Sequence, residues 1–205
     1  MNKLFFNLIS KIWNSIQYRK YYMRMKDLIS RGLKIGKNVT IAHTAYIDYE
    51  YPFLISIGDN CTVSNNVRLL AHDASTFKFV DGYTRIGKIV INNNCYIGEQ
   101  SIILPGVTVG SNVLIAAGSL VNKDIPSNSC VAGVPARFYA KFEDFIKGHK
   151  EQIKSRPSFS YHSLRLKMDN DLRKKIIEAV EGGDCYVKGY LGRYPFTLNN
   201  DDKEI

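Results

Sequence analysis

Aliphatic residues recur every six positions through the middle of the chain. They fall at Ile91, Ile97, Ile103, Val109, Ile115 and Val121, and the same spacing runs through Ile35, Ile41 and Ile47 and through Ile57, Val63 and Leu69. Four residues after an anchor comes a second small or aliphatic residue, as at Val39, Ala45, Cys61, Val67, Cys95, Val107 and Val113. The residue directly after an anchor is often glycine, as at Gly36, Gly58, Gly98 and Gly110. On an α-helix six steps rotate by about 240°, which scatters the anchors over three faces. In extended chain an even spacing keeps them on one side. A short strand and a turn, repeated, therefore account for the pattern. Three such strands close a triangle, so that about 18 residues make one coil and successive coils stack by parallel pairing. The spacing predicts coils over 35–52, with an irregular last side, from 57 to 72, and over 91–108 and 109–126. A β-sandwich with accidental periodicity is the competing reading, and six consecutive anchors weigh heavily against it.

Two departures break the period. Ile47 and Ile57 are ten apart, an insertion of four, and between Leu69 and Ile91 the repeat lapses. The segment 73–88 reads as a loop leaving the prism, the place where a rigid solenoid carries binding or catalytic work. Ahead of the repeat, Leu4, Phe5, Leu8, Ile9, Ile12, Trp13 and Ile16 have helical spacing within 2–29, which predicts an amphipathic helix capping the first coil. Beyond Pro135 the repeat stops, and helices are expected over 142–154 and 169–181, the second ended by Gly182-Gly183. The chain thus divides into a basic helix at 1–32, a β-helical body at 33–140 with its loop at 73–88, and a helical and irregular extension at 141–205.

The 205 residues are 45% hydrophobic and 23% charged, an ordinary globular composition. No run approaches the ~20 apolar residues of a bilayer span, so a membrane-crossing protein is not expected. The net charge of +9 is uneven. Residues 1–34 hold eight basic side chains and one acidic, residues 35–140 hold seven of each, and residues 141–205 hold thirteen against eleven. A neutral central body argues against nucleic acid as a partner. The basic arm instead leaves open a contact of residues 1–30 with an anionic membrane surface. Cys61, Cys95, Cys130 and Cys185 show no paired spacing, and Asn7, Ser10 and Lys11 interrupt the apolar N-terminal run, so a cytoplasmic protein with reduced thiols is expected.

Of the four histidines, His72 stands where the second coil breaks into the loop. An imidazole there suits general-base work near neutral pH. Asp73 follows it, but adjacent residues of an extended chain point to opposite faces, so Asp73 is not chosen as its orienting carboxylate.

The runs ISIGDNCTVSNNVRLLAHDAS and IVINNNCYIGEQSIILPGVTVGSNVLIAAGSLVNKDIPSNSCVAGVPAR resemble the hexapeptide-repeat acetyltransferases of the galactoside, maltose and xenobiotic branch, above all those that modify bacterial capsule and lipopolysaccharide sugars. The resemblance covers roughly 33–140. It implies a mainly β fold, a left-handed parallel β-helix with the N-terminal helix and C-terminal helical appendage already noted. It also implies acetyl-CoA as co-substrate, no metal, a homotrimer, and a sugar or polysaccharide acceptor whose hydroxyl is O-acetylated by direct attack on the thioester. His72 matches the general base. Ala117 and Asn122 match main-chain contacts to the pantetheine arm, Lys123 and Arg137 match basic positions at the nucleotide phosphates, and Tyr96 stands where relatives carry Trp. Glu99 replaces a small donor-contacting Ser, and Thr44 replaces an acceptor-site Asn. Ser75, Lys78, Asp81, Tyr83 and Arg85 of the loop are candidate acceptor contacts, with Ser75, Tyr83 and Arg85 favoured. N-acetylation of an amino sugar, acetylation of a drug, and an inactive scaffold remain the alternatives. A carbonic anhydrase would need three His ligands for zinc, and only His43 and His72 lie in the repeat.

Overall fold

The six-residue period is realised as strands of two or three residues separated by turns. The computed structural model describes residues 3–161 and 168–189, with side chains from Ile16 onward apart from Tyr18. In chain order the strands are β1 (Lys34–Ile35), β2 (Thr40–Ile41), β3 (Tyr46–Ile47), β4 (Ile55–Ile57), β5 (Thr62–Val63), β6 (Arg68–Leu69), β7 (His72–Asp73), β8 (Arg85–Ile86), β9 (Ile89–Ile91), β10 (Tyr96–Ile97), β11 (Ile102–Ile103), β12 (Thr108–Val109), β13 (Val113–Ile115), β14 (Leu120–Val121), β15 (Ser129–Ala132) and β16 (Arg137–Lys141). They form a prism. Its first face is β1-β4-β9-β12, its second is β2-β5-β10-β13-β15-β16, and its third is β3-β6-β11-β14.

The anchors stack in register. On the first face Ile35 pairs with Ile57, Ile57 with Ile91 and Ile91 with Val109. On the second, Ile41, Val63, Ile97 and Ile115 follow one another. On the third, Ile47, Leu69, Ile103 and Val121 do so. Nearly all are fully buried, and with Val39, Ala45, Cys61, Val67, Cys95, Val107 and Val113 they form one continuous core. Each buried aliphatic side chain contributes about 1.5–3 kcal/mol. Where coils touch at a corner there is no room for a Cβ, and one added to Gly98 would stand 2.5 Å from the Ala117 nitrogen. At another corner Asn38, Asn60, Asn94, Asn112 and Asn128 all take positive φ, a conformation asparagine tolerates better than most residues. Their amides join into a ladder, each donating to the carbonyl oxygen of the next at 2.8–3.2 Å.

Helix α1 (Lys3–Ser30) closes the lower end. Tyr21, Met25 and Leu28 are buried in the same core, the Tyr21 hydroxyl donates to the Ile41 carbonyl at 2.7 Å, and the Arg24 guanidinium donates to the Ala45 carbonyl at 2.7 Å. Among the described side chains the cap is built from the second half of the helix. Ile16, a member of the apolar stripe expected to cap the coil, is 44% exposed, and the side chains of Leu4 through Trp13 lie outside the described residues. At the other end β16 folds back antiparallel on β15.

The described residues fall into two compact units, the first running through Phe142 and the second beginning at Glu143. The second contains most of α2 (Phe142–Ser155), then α3 (Asn170–Glu181), whose Asp169 caps it by accepting from the Leu172 N–H at 2.8 Å, and a parallel pair of strands, Ser158–Ser160 with Tyr186–Lys188. His162 and residues 190–205, with most of the terminal aromatics, lie outside the described residues.

The asparagine ladder predicts a graded loss of stability. Asn112→Ala removes two ladder bonds and places alanine at φ +56°, and is expected to cost about 1–3 kcal/mol. Asn112→Gly, which relieves the backbone strain, should cost less. Urea denaturation of both variants checks the order.

Candidate functional site

Both breaks in the repeat follow an anchor of the third face, one after Ile47 and the other one coil up after Leu69, so both leave the prism along the edge between its third and first faces. After the first break the residue next to the anchor is Asp48, fully buried. Its N–H continues the ladder to the Leu69 carbonyl at 3.0 Å. One carboxylate oxygen, Oδ1, accepts from the N–H of Glu50 at 3.0 Å and of Tyr51 at 3.4 Å, which folds the four-residue insertion into a turn. The other, Oδ2, accepts from the N–H of Ala71 at 2.8 Å and of His72 at 3.1 Å, and meets His72 Nδ1 at 2.6 Å. Five N–H groups thus replace the water that burial removes.

A carboxylate only accepts, so Nδ1 carries the proton and the neutral ring presents Nε2 as its acceptor. Tyr51 packs edge-on against the imidazole, with ring centroids 5.5 Å apart. The His72 side chain is 29% exposed while Asp48 is entirely enclosed. The result is an imidazole oriented from behind and open in front.

The loop at 73–88 is a hairpin. β7 and β8 pair antiparallel, His72 opposite Ile86 and Asp73 opposite Arg85. Asp73 turns to its own loop, accepting from the Ser75 N–H at 2.9 Å. That bond, helped by the Ser75 side chain and the nearby charge of Arg85, holds its carboxyl below the usual range. Ser75 is thus tied into the turn, and Arg85 braces the hairpin by donating to the Pro105 carbonyl at 3.2 Å. Tyr83 is 75% exposed and Lys78 and Asp81 are also exposed on this hairpin.

Three of the five expected donor contacts come together. Asn122, Lys123 and Arg137 line one cleft of about 190 Å³, whose apolar wall includes Val121, Ile125, Val131 and Phe138. Asp124 in the same cleft accepts from the Thr108 N–H at 2.7 Å, and Lys123 and Arg137 are the cationic side chains of the lining. Asn122 and Lys123 follow β14 and so share the His72 edge, two rungs farther up. Ala117 stands on a different edge, between the second and third faces, with Glu99 beside it; the Gly118 N–H donates to the Glu99 carbonyl at 2.7 Å. Ala117 is exposed, and its main-chain N–H and C=O have no hydrogen-bond partner among the described residues. Tyr96 projects from the second face and does not share the His72 edge. Thr44 donates from its hydroxyl to the Asn65 amide oxygen at 3.1 Å.

The repeat region matches two family models, the bacterial transferase hexapeptide of six repeats over residues 88–123 and the hexapeptide repeat of succinyl-transferase over residues 51–71. Protein CapG of Staphylococcus aureus is 30% identical over 178 residues, which span 85% of this chain and 98% of CapG. The chain belongs to the hexapeptide-repeat acetyltransferases. Within that family the putative acetyltransferase YvoF of Bacillus subtilis is 35% identical over 134 residues, 62% of this chain and 75% of YvoF. The galactoside O-acetyltransferase of Escherichia coli is 36% identical over 115 residues, and the chain spans 57% of its length. A hexapeptide-repeat acetyltransferase of Vibrio cholerae, solved in complex with acetyl coenzyme A, superposes with a TM-score of 0.50 at 27% identity, covering 55% of this chain and 61% of that one.

Asp48 and Tyr51 are the site residues that sequence reasoning did not find. The available signal was an acidic residue directly after an anchor, at the start of the insertion. The geometry makes a spectroscopic prediction. Long-range ¹H–¹⁵N correlation should show His72 wholly as the Nδ1–H tautomer, and Asp48→Asn should shift it towards a mixture; an unchanged tautomer in that variant would contradict the arrangement.

Proposed function

We propose that this chain transfers an acetyl group from acetyl-CoA to a sugar hydroxyl of a bacterial surface polysaccharide or its precursor, with His72 as general base. The single observation that carries the reading is the buried Asp48 carboxylate fixing His72 Nδ1 at 2.6 Å, with Nε2 left for an acceptor. In the proposed step the acceptor oxygen attacks the thioester carbonyl carbon as Nε2 takes its proton. The tetrahedral intermediate then collapses, the carbon–sulfur bond breaks, and the departing thiolate regains that proton from the imidazolium. The thioester is already activated, so this step involves no covalent enzyme intermediate.

The donor fits the residues of the cleft and of the Ala117 edge. Lys123 and Arg137 suit the phosphates of the nucleotide end, and the apolar wall with Phe138 suits its ring. The exposed edge at Ala117 lets an extended, amide-bearing arm hydrogen-bond to main chain. That edge and Tyr96 are remote from the His72 edge of the same prism, which supports a homotrimer in which a second copy brings them beside His72. Sugar O-acetylation is supported by the similarity to galactoside O-acetyltransferase, and among acceptor contacts the reading favours Tyr83, which is 75% exposed, with Ser75 and Arg85 on the same hairpin.

Thiol release from acetyl-CoA, measured against a panel of capsule and lipopolysaccharide sugars and of amino sugars, tests the proposal. Wild type should release thiol in an acceptor-dependent way at three times the chain mass of 23.3 kDa by light scattering. His72→Ala should lower kcat/KM by about 10²–10⁴-fold. Lys123→Ala and Arg137→Ala should each weaken CoA binding by about tenfold with the acceptor preference unchanged. Release that depends only on amino acceptors would identify N-acetylation, and CoA binding without release on any acceptor would favour a scaffold.

A further inference from the structure

Helix α1 is longer than its task of closing the prism. The side that closes it is marked by Tyr21, Met25 and Leu28, all buried. Ile16 lies nine residues before Met25, a rotation of about 180°, so it stands on the opposite side of the helix. Met23 stands on that outer side too, and the two are 44% and 59% exposed. Steps of four, three and four carry the same line back from Ile16 through the positions of Ile12, Ile9 and Phe5. Among the described side chains the inner side of α1 thus carries Tyr21, Met25 and Leu28 and the outer side carries Ile16 and Met23, and the sequence spacing ahead of Ile16 continues the outer line.

Basic side chains flank the outward line. Arg19 and Lys20 are both exposed, and helical geometry sets them about 50° to either side of the line through Ile16 and Met23. Residues 1–34 carry eight basic side chains and one acidic, while residues 35–140 are balanced. An apolar stripe edged by cations is the pattern that lies in the plane of an anionic lipid surface, its apolar residues among the acyl chains and its cations at the headgroups. Two copies of so basic an arm repel each other, which disfavours a second copy of this chain as the cover. Among the described residues no helix is long and apolar enough to cross a membrane.

We infer that the outer face of α1 docks the protein on an anionic lipid surface, with Ile16 and Met23 on the inserted line and Arg19 and Lys20 at the headgroups. The test is co-sedimentation of the full chain with vesicles of phosphatidylcholine alone or with about 30% phosphatidylglycerol. Binding should rise by about tenfold with the anionic lipid and fall as salt screens it. It should be lost in Arg19→Glu/Lys20→Glu, which alters only exposed side chains, and in Ile16→Asp/Met23→Asp, with the melting temperature of each variant checked against wild type. No pelleting with anionic vesicles, or equal pelleting of a folded variant, would overturn the inference. So would a drop in assembly size of Ile16→Asp/Met23→Asp without lipid, which would identify a second copy as the cover.

Discussion

Parallel stacking in register is the constraint on which the molecule depends. Each anchor on each face lies over the anchor of the coil below, and the buried aliphatic column is, among the described residues, the large apolar interior of the body. An insertion within a side would carry the chain past its corner and shift the following residues out of register, so that anchor no longer lay over anchor. Insertions are therefore admitted only where the chain turns a corner. Both large ones occur at the same corner, after Ile47 and after Leu69, in adjacent coils. A scaffold with little chemistry of its own thereby brings two excursions together, one delivering Asp48 and the other His72.

The body was legible from sequence because its period is a matter of covalent spacing. Strand positions, coil order and the corner at which the repeat breaks all follow from counting by six, and the match of Asn122, Lys123 and Arg137 to donor-binding positions is consistent with their meeting in one cleft. Asp48 was not legible in the same way. It lies 24 residues from His72, and their meeting depends on the register Ile47 over Leu69 together with the turn that the insertion makes. Ser75 and Arg85 illustrate the opposite difficulty. Their loop position suggests acceptor contacts, and the hairpin adds what spacing alone does not reveal: the Ser75 N–H is bonded to Asp73 and one Arg85 nitrogen to the Pro105 carbonyl. The N-terminal helix does close the prism, through Tyr21, Met25 and Leu28, whereas Ile16 of the apolar stripe is exposed, because periodicity gives a helical face without saying what lies against it.

The two ends of the proposed reaction are held differently. His72 is fixed from behind by a carboxylate with every oxygen engaged, so its orientation comes from the fold and not from a bound substrate. Lys123 and Arg137 are exposed side chains at the mouth of an open cleft, a placement suited to a charged ligand that must enter and leave. The hairpin carrying Tyr83 lies between these regimes: its base is pinned at His72 and Arg85, and its exposed residues are free to differ without disturbing the base.

The central claim is that Asp48 acts through His72 and has no separate part in acetyl transfer. A double-mutant cycle on kcat/KM, with Asp48→Asn, His72→Ala and the pair, tests it directly. Asp48→Asn should slow the wild-type enzyme by about tenfold or more, yet change the His72→Ala enzyme by less than about twofold. Costs that multiply in the double variant would contradict it, and would make the carboxylate an independent contributor to the reaction.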